Sequence, residues 1–138
     1  MLLLRNNPLP LPRLDEGLPT KNEQPYLGLQ KRRQFLHVQG RGSRFRRRHL
    51  VLLVLANDVE TSRVGFTVSK RVGNAVVRNR VRRRLREGVR GNSPILCAGM
   101  DYVIIALPQS ARVEFKVLCS ELSSLLQEVE AWASRRVS

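Results

Sequence analysis

The most continuous apolar stretch is Leu50-Val51-Leu52-Leu53-Val54-Leu55-Ala56, preceded by His49. It is too short for most helices and apolar on both faces, which predicts a central strand over 49–56 that is covered on both sides. Asn57-Asp58 supplies a turn. From Arg63 to Ser69 the pattern then alternates, with Val64, Phe66 and Val68 on one face and Gly65, Thr67 and Ser69 on the other, a second strand. Asp101 to Leu107 reads as a third strand closed by Pro108, and Ser43 to Arg46 is a candidate fourth.

Helical spacing occupies three other stretches. Phe35 and Val38 share a face with Lys31, predicting a short helix over 31–39 that Gly40 and Gly42 stop. Asn74 as N-cap and Gly91-Asn92-Ser93-Pro94 as stop bracket a helix over 75–90. Over 111–133, Phe115, Leu118, Leu122, Leu125, Leu126, Val129 and Trp132 recur at i, i+3, i+4, i+7, an amphipathic helix whose stripe packs on the core. The order helix, strands, helix, strand, helix describes a two-layer α+β sandwich. Five of the seven prolines fall in residues 1–27, where no period survives, so a flexible N-terminal extension is expected ahead of one domain over 28–138.

A helical wheel over 75–90 puts Val77, Val81, Leu85 and Val89 on one stripe that docks on the sheet. Asn79, Arg80, Arg83, Arg86 and Arg90 fall on the far side, Arg82 and Arg84 flank the stripe, and Arg78 lies near its edge in the first turn, turned outward or onto the adjacent loop. Like charges three and four residues apart destabilise a helix by a few tenths of a kcal/mol each, so an anionic partner would relieve this face. Lys70 and Arg71 sit just before the helix, where its free N–H groups add positive potential.

Charge over the whole chain sharpens that reading. The 138 residues hold 25 Lys+Arg against 11 Asp+Glu, a formal net charge of +14. Residues 31–90 alone carry eighteen basic and three acidic side chains, so one stretch accounts for the whole excess. A surface charged only for solubility would intersperse both signs. Here 21 of the 25 basic residues are Arg, whose planar fork pairs bidentately with phosphate and stacks on bases. A nucleic acid is the expected partner. A membrane-surface helix would want Trp, Phe or several Leu on its apolar face, and a DNA-reading helix pair would carry Asn, Gln and Ser beside Arg, so both rank below RNA.

Other classes recede. No apolar run approaches the roughly 18 residues of a membrane span, and Met1-Leu2-Leu3-Leu4 is too short for a secretory signal, so the cytoplasm is expected. Cys97, Cys119, His37 and His49 stand at no metal-ligand spacing, and no metal bound by the protein is expected. The basic middle holds only three carboxylates and suggests no Cys–His or Ser–His pairing, so no catalytic residue is assigned to the protein.

The run Arg63-Val64-Gly65-Phe66-Thr67-Val68-Ser69-Lys70-Arg71-Val72-Gly73-Asn74-Ala75-Val76-Val77-Arg78-Asn79-Arg80-Val81-Arg82-Arg83-Arg84-Leu85-Arg86-Glu87 closely resembles the signature of the bacterial ribonuclease P protein component, including its Arg-Asn-Arg core. Gln34-Phe35, Gly42, Asp101 to Ala106 and the terminal helix follow in family order. The resemblance implies a compact α/β sandwich around a four-stranded sheet with a left-handed βαβ crossover, of the ribosomal protein S5 domain 2-like type. It implies a subunit of an endoribonuclease that removes the 5′ leader of precursor tRNA, in which the catalytic RNA and its Mg²⁺ perform the hydrolysis. Carried over by position, Lys70, Arg71, Asn74, Arg78, Asn79, Arg80, Arg82, Arg83, Arg84 and Arg86 match the motif that faces the catalytic RNA. Phe35, Val51, Leu53, Arg71 and Ala106 match the lining of a cleft for the single-stranded leader, where Phe35 would stack on a base or else pin the first helix to the sheet. Gln39 and Leu53 stand where the family commonly has aromatic residues and Leu107 where it has a basic one, so weaker stacking is expected. The alternative is a ribosomal or regulatory RNA-binding protein with no role in tRNA processing.

Overall fold

The computed structural model describes residues 27–137 apart from 30, 58 and 60. The elements run β1 (Leu27–Gly28), α1 (Arg32–Arg41), β2 (Ser43–Arg46), β3 (Leu50–Ala56), β4 (Arg63–Val68), α2 (Ala75–Gly91), β5 (Met100–Ala106) and α3 (Phe115–Val137). The sheet order is β1-β4-β5-β3-β2. β2 pairs antiparallel with β3 and β3 with β5, while β4 lies parallel to β5 with α2 as the connection between them. Four strands are those expected. The fifth, β1, is a two-residue parallel addition to the start of β4, too short to show in the pattern. It takes Leu27 out of the expected extension, whose residues 1–26 lie outside the described residues.

Alternation divides the core in two. Leu50, Leu52 and Val54 of β3 and Tyr102, Ile104 and Ala106 of β5 point to one face, where Val81, Leu85 and Val89 of α2 meet Leu118, Leu122, Leu125, Leu126 and Val129 of α3. Fully burying an aliphatic side chain contributes about 1.5–3 kcal/mol, so this face supplies most of the hydrophobic stabilisation. On the other face Val51, Leu53 and Val103 join Val38 of α1 and Leu29 in a smaller cluster. The sheet and the α2–α3 pair make the sandwich, and α1 lies across part of the opposite face.

Two helix boundaries, the end of α1 and the start of α3, differ from expectation for a local reason. The α1 helix runs through Gly40 and stops only at Gly42, whose N–H donates to the Val38 carbonyl at 2.7 Å. A Cβ at residue 42 would lie 2.6 Å from that oxygen and 2.9 Å from the Val54 carbonyl, so only glycine lets the chain turn there into β2. Residues 108–112 form a 3₁₀ turn, and α3 begins at Phe115 rather than 111. Phe115 therefore sits in the first turn, 39% exposed, while Val113 packs on the core.

Several buried polar groups are paired, whereas Ser110 Oγ has no partner among the described residues. Asp101 accepts from Arg63 Nε and Nη2, both at 2.8 Å, and from Asn57 Nδ2 at 2.7 Å, tying the starts of β4 and β5. Glu121 of α3 takes the His49 backbone N–H at 3.0 Å and faces His49 Nδ1 with its other oxygen. Arg47 donates to Ser124 and Glu128 of the same helix. The Tyr102 hydroxyl, accepting from the Cys97 N–H at 2.7 Å, is pushed above its ordinary pKa by burial.

Candidate nucleic-acid interface

The α2 helix forms where expected because Asn74 caps it, its Oδ1 accepting the Val77 N–H at 3.0 Å. Val81, Leu85 and Val89 are buried and Val77 half-buried, which fixes the helix phase. Asn79, Arg83, Arg86 and Arg90 are exposed, as the wheel places them. Arg78 takes the loop option, donating from Nε to the Gly73 carbonyl at 3.2 Å. Arg80 departs from the outward placement: it is half-buried, and its Nε is shielded from solvent with no partner among the described residues. Arg82 donates to Asn79 Oδ1 at 3.2 Å. Lys70 and Arg71 are exposed in the turn leading into the helix, where the Arg71 N–H meets Ser69 Oγ. Glu87 is the single carboxylate on this helix, so the surface is an array of cations set by a rigid backbone. Such an array suits a phosphate backbone.

The second surface lies on the α1 face of the sheet, where strand register lines up side chains in rows. One row is Gly65, Val103, Leu53 and Arg44; the next is Thr67, Ile105, Val51 and Arg46. Gly65, Val103 and Leu53 of the first row are buried under α1, with the Phe35 ring seated on Gly65: a Cβ there would be 2.5 Å from two ring carbons. The second is only partly covered, since Thr67 and Ile105 are half-buried, as is Leu107 beyond them. The strip beside α1 is thus a shallow groove only in part exposed, at Thr67, Ile105 and Leu107, over the buried Val51. Lys70 and Arg71 follow the β4 end of it.

Phe35 is half-buried, so its ring packs α1 on the sheet and is still partly accessible to solvent. Around the β4 edge, Phe35, Gly65 and Phe66 share an open pocket of about 250 Å³ with Arg82 and Arg86, so the motif helix and the α1 face meet there. Among the described residues no three His, Cys, Asp or Glu side chains approach as a metal-ion site would require. No helix among them is long and apolar enough to cross a membrane.

A ribonuclease P family model matches residues 25–130. The chain belongs to the ribonuclease P protein family. Similar relatives include the ribonuclease P protein component of Syntrophus aciditrophicus, 39% identical over 71% of this chain and 82% of that one. That of Alkaliphilus metalliredigens is 35% identical over 74% and 92%. Among solved structures, the ribonuclease P protein of Thermotoga maritima superimposes with a TM-score of 0.67 at 31% identity, covering 72% of this chain and 94% of that one. The chain is accordingly a protein subunit of ribonuclease P, an endoribonuclease that works with ribonuclease P RNA, and the reading as a ribosomal or regulatory RNA-binding protein is not favoured.

Within that family frame, one expected cleft residue is misplaced. Ala106 pairs with Leu50 and sits in the cluster under α2 and α3, on the opposite face of the sheet from Phe35. Strand alternation forbids it the groove, and Ile105 and Leu107 stand there instead. Val51 and Leu53 do face the groove side but are buried, giving the floor its shape more than its contact surface. Gln39 is exposed and Leu107 half-buried. Sequence reasoning also missed Arg44 and Arg46, whose signal was the alternation of Ser43 to Arg46 around Phe45.

Proposed function

We propose that the groove beside α1 holds the single-stranded 5′ leader of precursor tRNA while the outer face of α2, with Lys70 and Arg71, binds the catalytic RNA. The observation that supports this reading is the half-buried strip of Thr67, Ile105 and Leu107 over the buried Val51, bordered by the Phe35 ring and followed at its β4 end by Arg71. Bases stack on aromatic and apolar surface while guanidinium groups pair with phosphates, and single-stranded RNA exposes both. Holding the leader on the protein and the tRNA body on the RNA positions the scissile phosphate without any protein group touching it, which is catalysis by orientation. In this reading the Mg²⁺ is held by the RNA, and the protein contributes cations that reduce phosphate repulsion. The protein works in the cytoplasm, where precursor tRNA is matured.

The test compares binding of precursor and mature tRNA to the holoenzyme reconstituted with its catalytic RNA. Phe35→Leu keeps the apolar volume and loses the π face, so it is expected to weaken precursor binding by about 1 kcal/mol, with mature tRNA unchanged. Replacing Arg83 and Arg86 by Ala should instead raise the protein concentration needed for assembly. Equal precursor and mature affinities for the unaltered holoenzyme would overturn the leader assignment.

A further inference from the structure

The edge strand β2 divides its side chains between two tasks. Phe45 packs edge-on against Trp132 with ring centroids 5.5 Å apart, and Arg47 is held by Ser124 and Glu128, so both are committed to α3. The alternate residues Arg44 and Arg46 point the other way, directly across from Leu53 and Val51 on the α1 face. Both are exposed, as is Arg48 in the following turn, and their guanidinium groups have no protein partner among the described residues. No acidic residue occurs between Lys31 and Asn57. The groove therefore has cations at both ends: Lys70 and Arg71 beyond β4, and Arg44 and Arg46 on β2.

The geometry points to Arg44 and Arg46 as a second phosphate clamp that holds the distal part of the leader after it has crossed the sheet. This rests on the proposed leader groove and adds to it a direction and a length. From β4 to β2 is three strand spacings of about 4.8 Å, or ~14 Å. At a stacked rise of 3.4 Å per nucleotide that is on the order of four nucleotides, and fewer if the leader is extended. A leader shorter than this cannot bridge the two ends, so the clamp makes affinity rise with leader length up to that span and level off beyond it. The competing account is that arginines on an edge strand serve only to block pairing with another chain. That role carries no dependence on leader length.

The experiment uses reconstituted holoenzyme and precursor tRNAs with leaders of one, two, four and eight nucleotides, comparing the unaltered protein, Arg44→Gln/Arg46→Gln and Arg44→Lys/Arg46→Lys. Both side chains are exposed, so folding is expected to survive; the mature-tRNA affinity of each variant reports on that and on assembly. For the Gln pair, affinity at one nucleotide should match the unaltered protein, while at eight it falls roughly ten-fold. The slope of log affinity against log salt at eight nucleotides should become shallower by about 1.4, the value for two phosphate contacts on a single strand. The Lys pair should keep most of the length dependence. Identical affinities for the Gln pair and the unaltered protein at every length would overturn the clamp while leaving the groove standing, as would an equal loss at all lengths and for mature tRNA. If the unaltered protein gains nothing from a leader, the groove reading fails and the clamp with it.

Discussion

Gly65→Ala tests the seat of Phe35 with a single methyl group. The new Cβ would stand 2.5 Å from Cε1 and Cζ of the Phe35 ring and 3.0 Å from Cβ of Leu29. Carbon atoms rest at about 3.5–4.0 Å, so something must retreat by about 1 Å or more. Gly65 is in the register of β4 with β5, opposite the fully buried Val103, and Leu29 is tied by its N–H to the Val64 carbonyl at 3.0 Å. The half-buried ring is the part that can yield, and it yields toward solvent. Overpacking of this kind costs about 1–3 kcal/mol, offset by about 0.5–1 kcal/mol because alanine loses less chain entropy than glycine in a strand. The expected net is about 1–2 kcal/mol, seen in urea as a midpoint lowered by about 1 M for a domain with an m-value near the low end of the usual range. Combining Gly65→Ala with Phe35→Ala lets the methyl group occupy space the ring vacated, so the double variant should be more stable than the sum of the singles by about 1 kcal/mol. Holoenzyme carrying Gly65→Ala alone should assemble normally and prefer precursor over mature tRNA less. An unchanged urea midpoint, or strictly additive singles, would refute the packing of Phe35 on Gly65.

Other perturbations probe the rest. Val81→Asp places a carboxylate in the fully buried stripe of α2 and should leave the domain unfolded by circular dichroism, a penalty of several kcal/mol. Asp101→Ala removes the carboxylate that Arg63 and Asn57 share and should cost about 3 kcal/mol in urea denaturation, the low end for a buried pair because Arg63 reaches water. Burial raises the thiol pKa of both Cys97 and Cys119, so native protein should alkylate more slowly with iodoacetamide at pH 8 than urea-unfolded protein. The sign for stability follows from the same shift: the protonated thiols contribute fully below the unfolded pKa, and the contribution fades as pH rises through the higher folded one. Arg83→Ala/Arg86→Ala should make the salt dependence of assembly with the catalytic RNA shallower while leaving the melting temperature nearly unchanged.

What the sequence could show followed from periodicity. The β3 and β4 strands, the capped α2 helix and the buried stripe of Val81, Leu85 and Val89 each bury a face that repeats every 2 or 3.6 residues, and each is found within a residue or so of its expected bounds. Features set by non-local contacts were less visible. Gly40 and Gly42 look equivalent in one dimension, and only the approach of the Val54 carbonyl makes the second the stop. Positional match puts Ala106 in the cleft although it alternates with Ile105, and the strand pairing that decides its face is a tertiary fact. The wheel puts Arg80 outward, yet its long side chain is half-buried and its Nε shielded from solvent. The two ends of the groove come from strand β2 and the turn at 69–71, set across the sheet by a strand order no local pattern encodes.

The central claim is that this protein binds and positions RNA while the RNA partner breaks the phosphodiester bond. Single-turnover cleavage of precursor tRNA at low Mg²⁺ tests it most directly, run with the catalytic RNA alone, the protein alone and the two together. The predicted result is rapid cleavage at the mature 5′ end only for the mixture, slow or no cleavage by the RNA, and intact substrate with the protein at any concentration. Cleavage at that site by the protein alone, or a rate for the RNA that the protein leaves unchanged, would contradict the account.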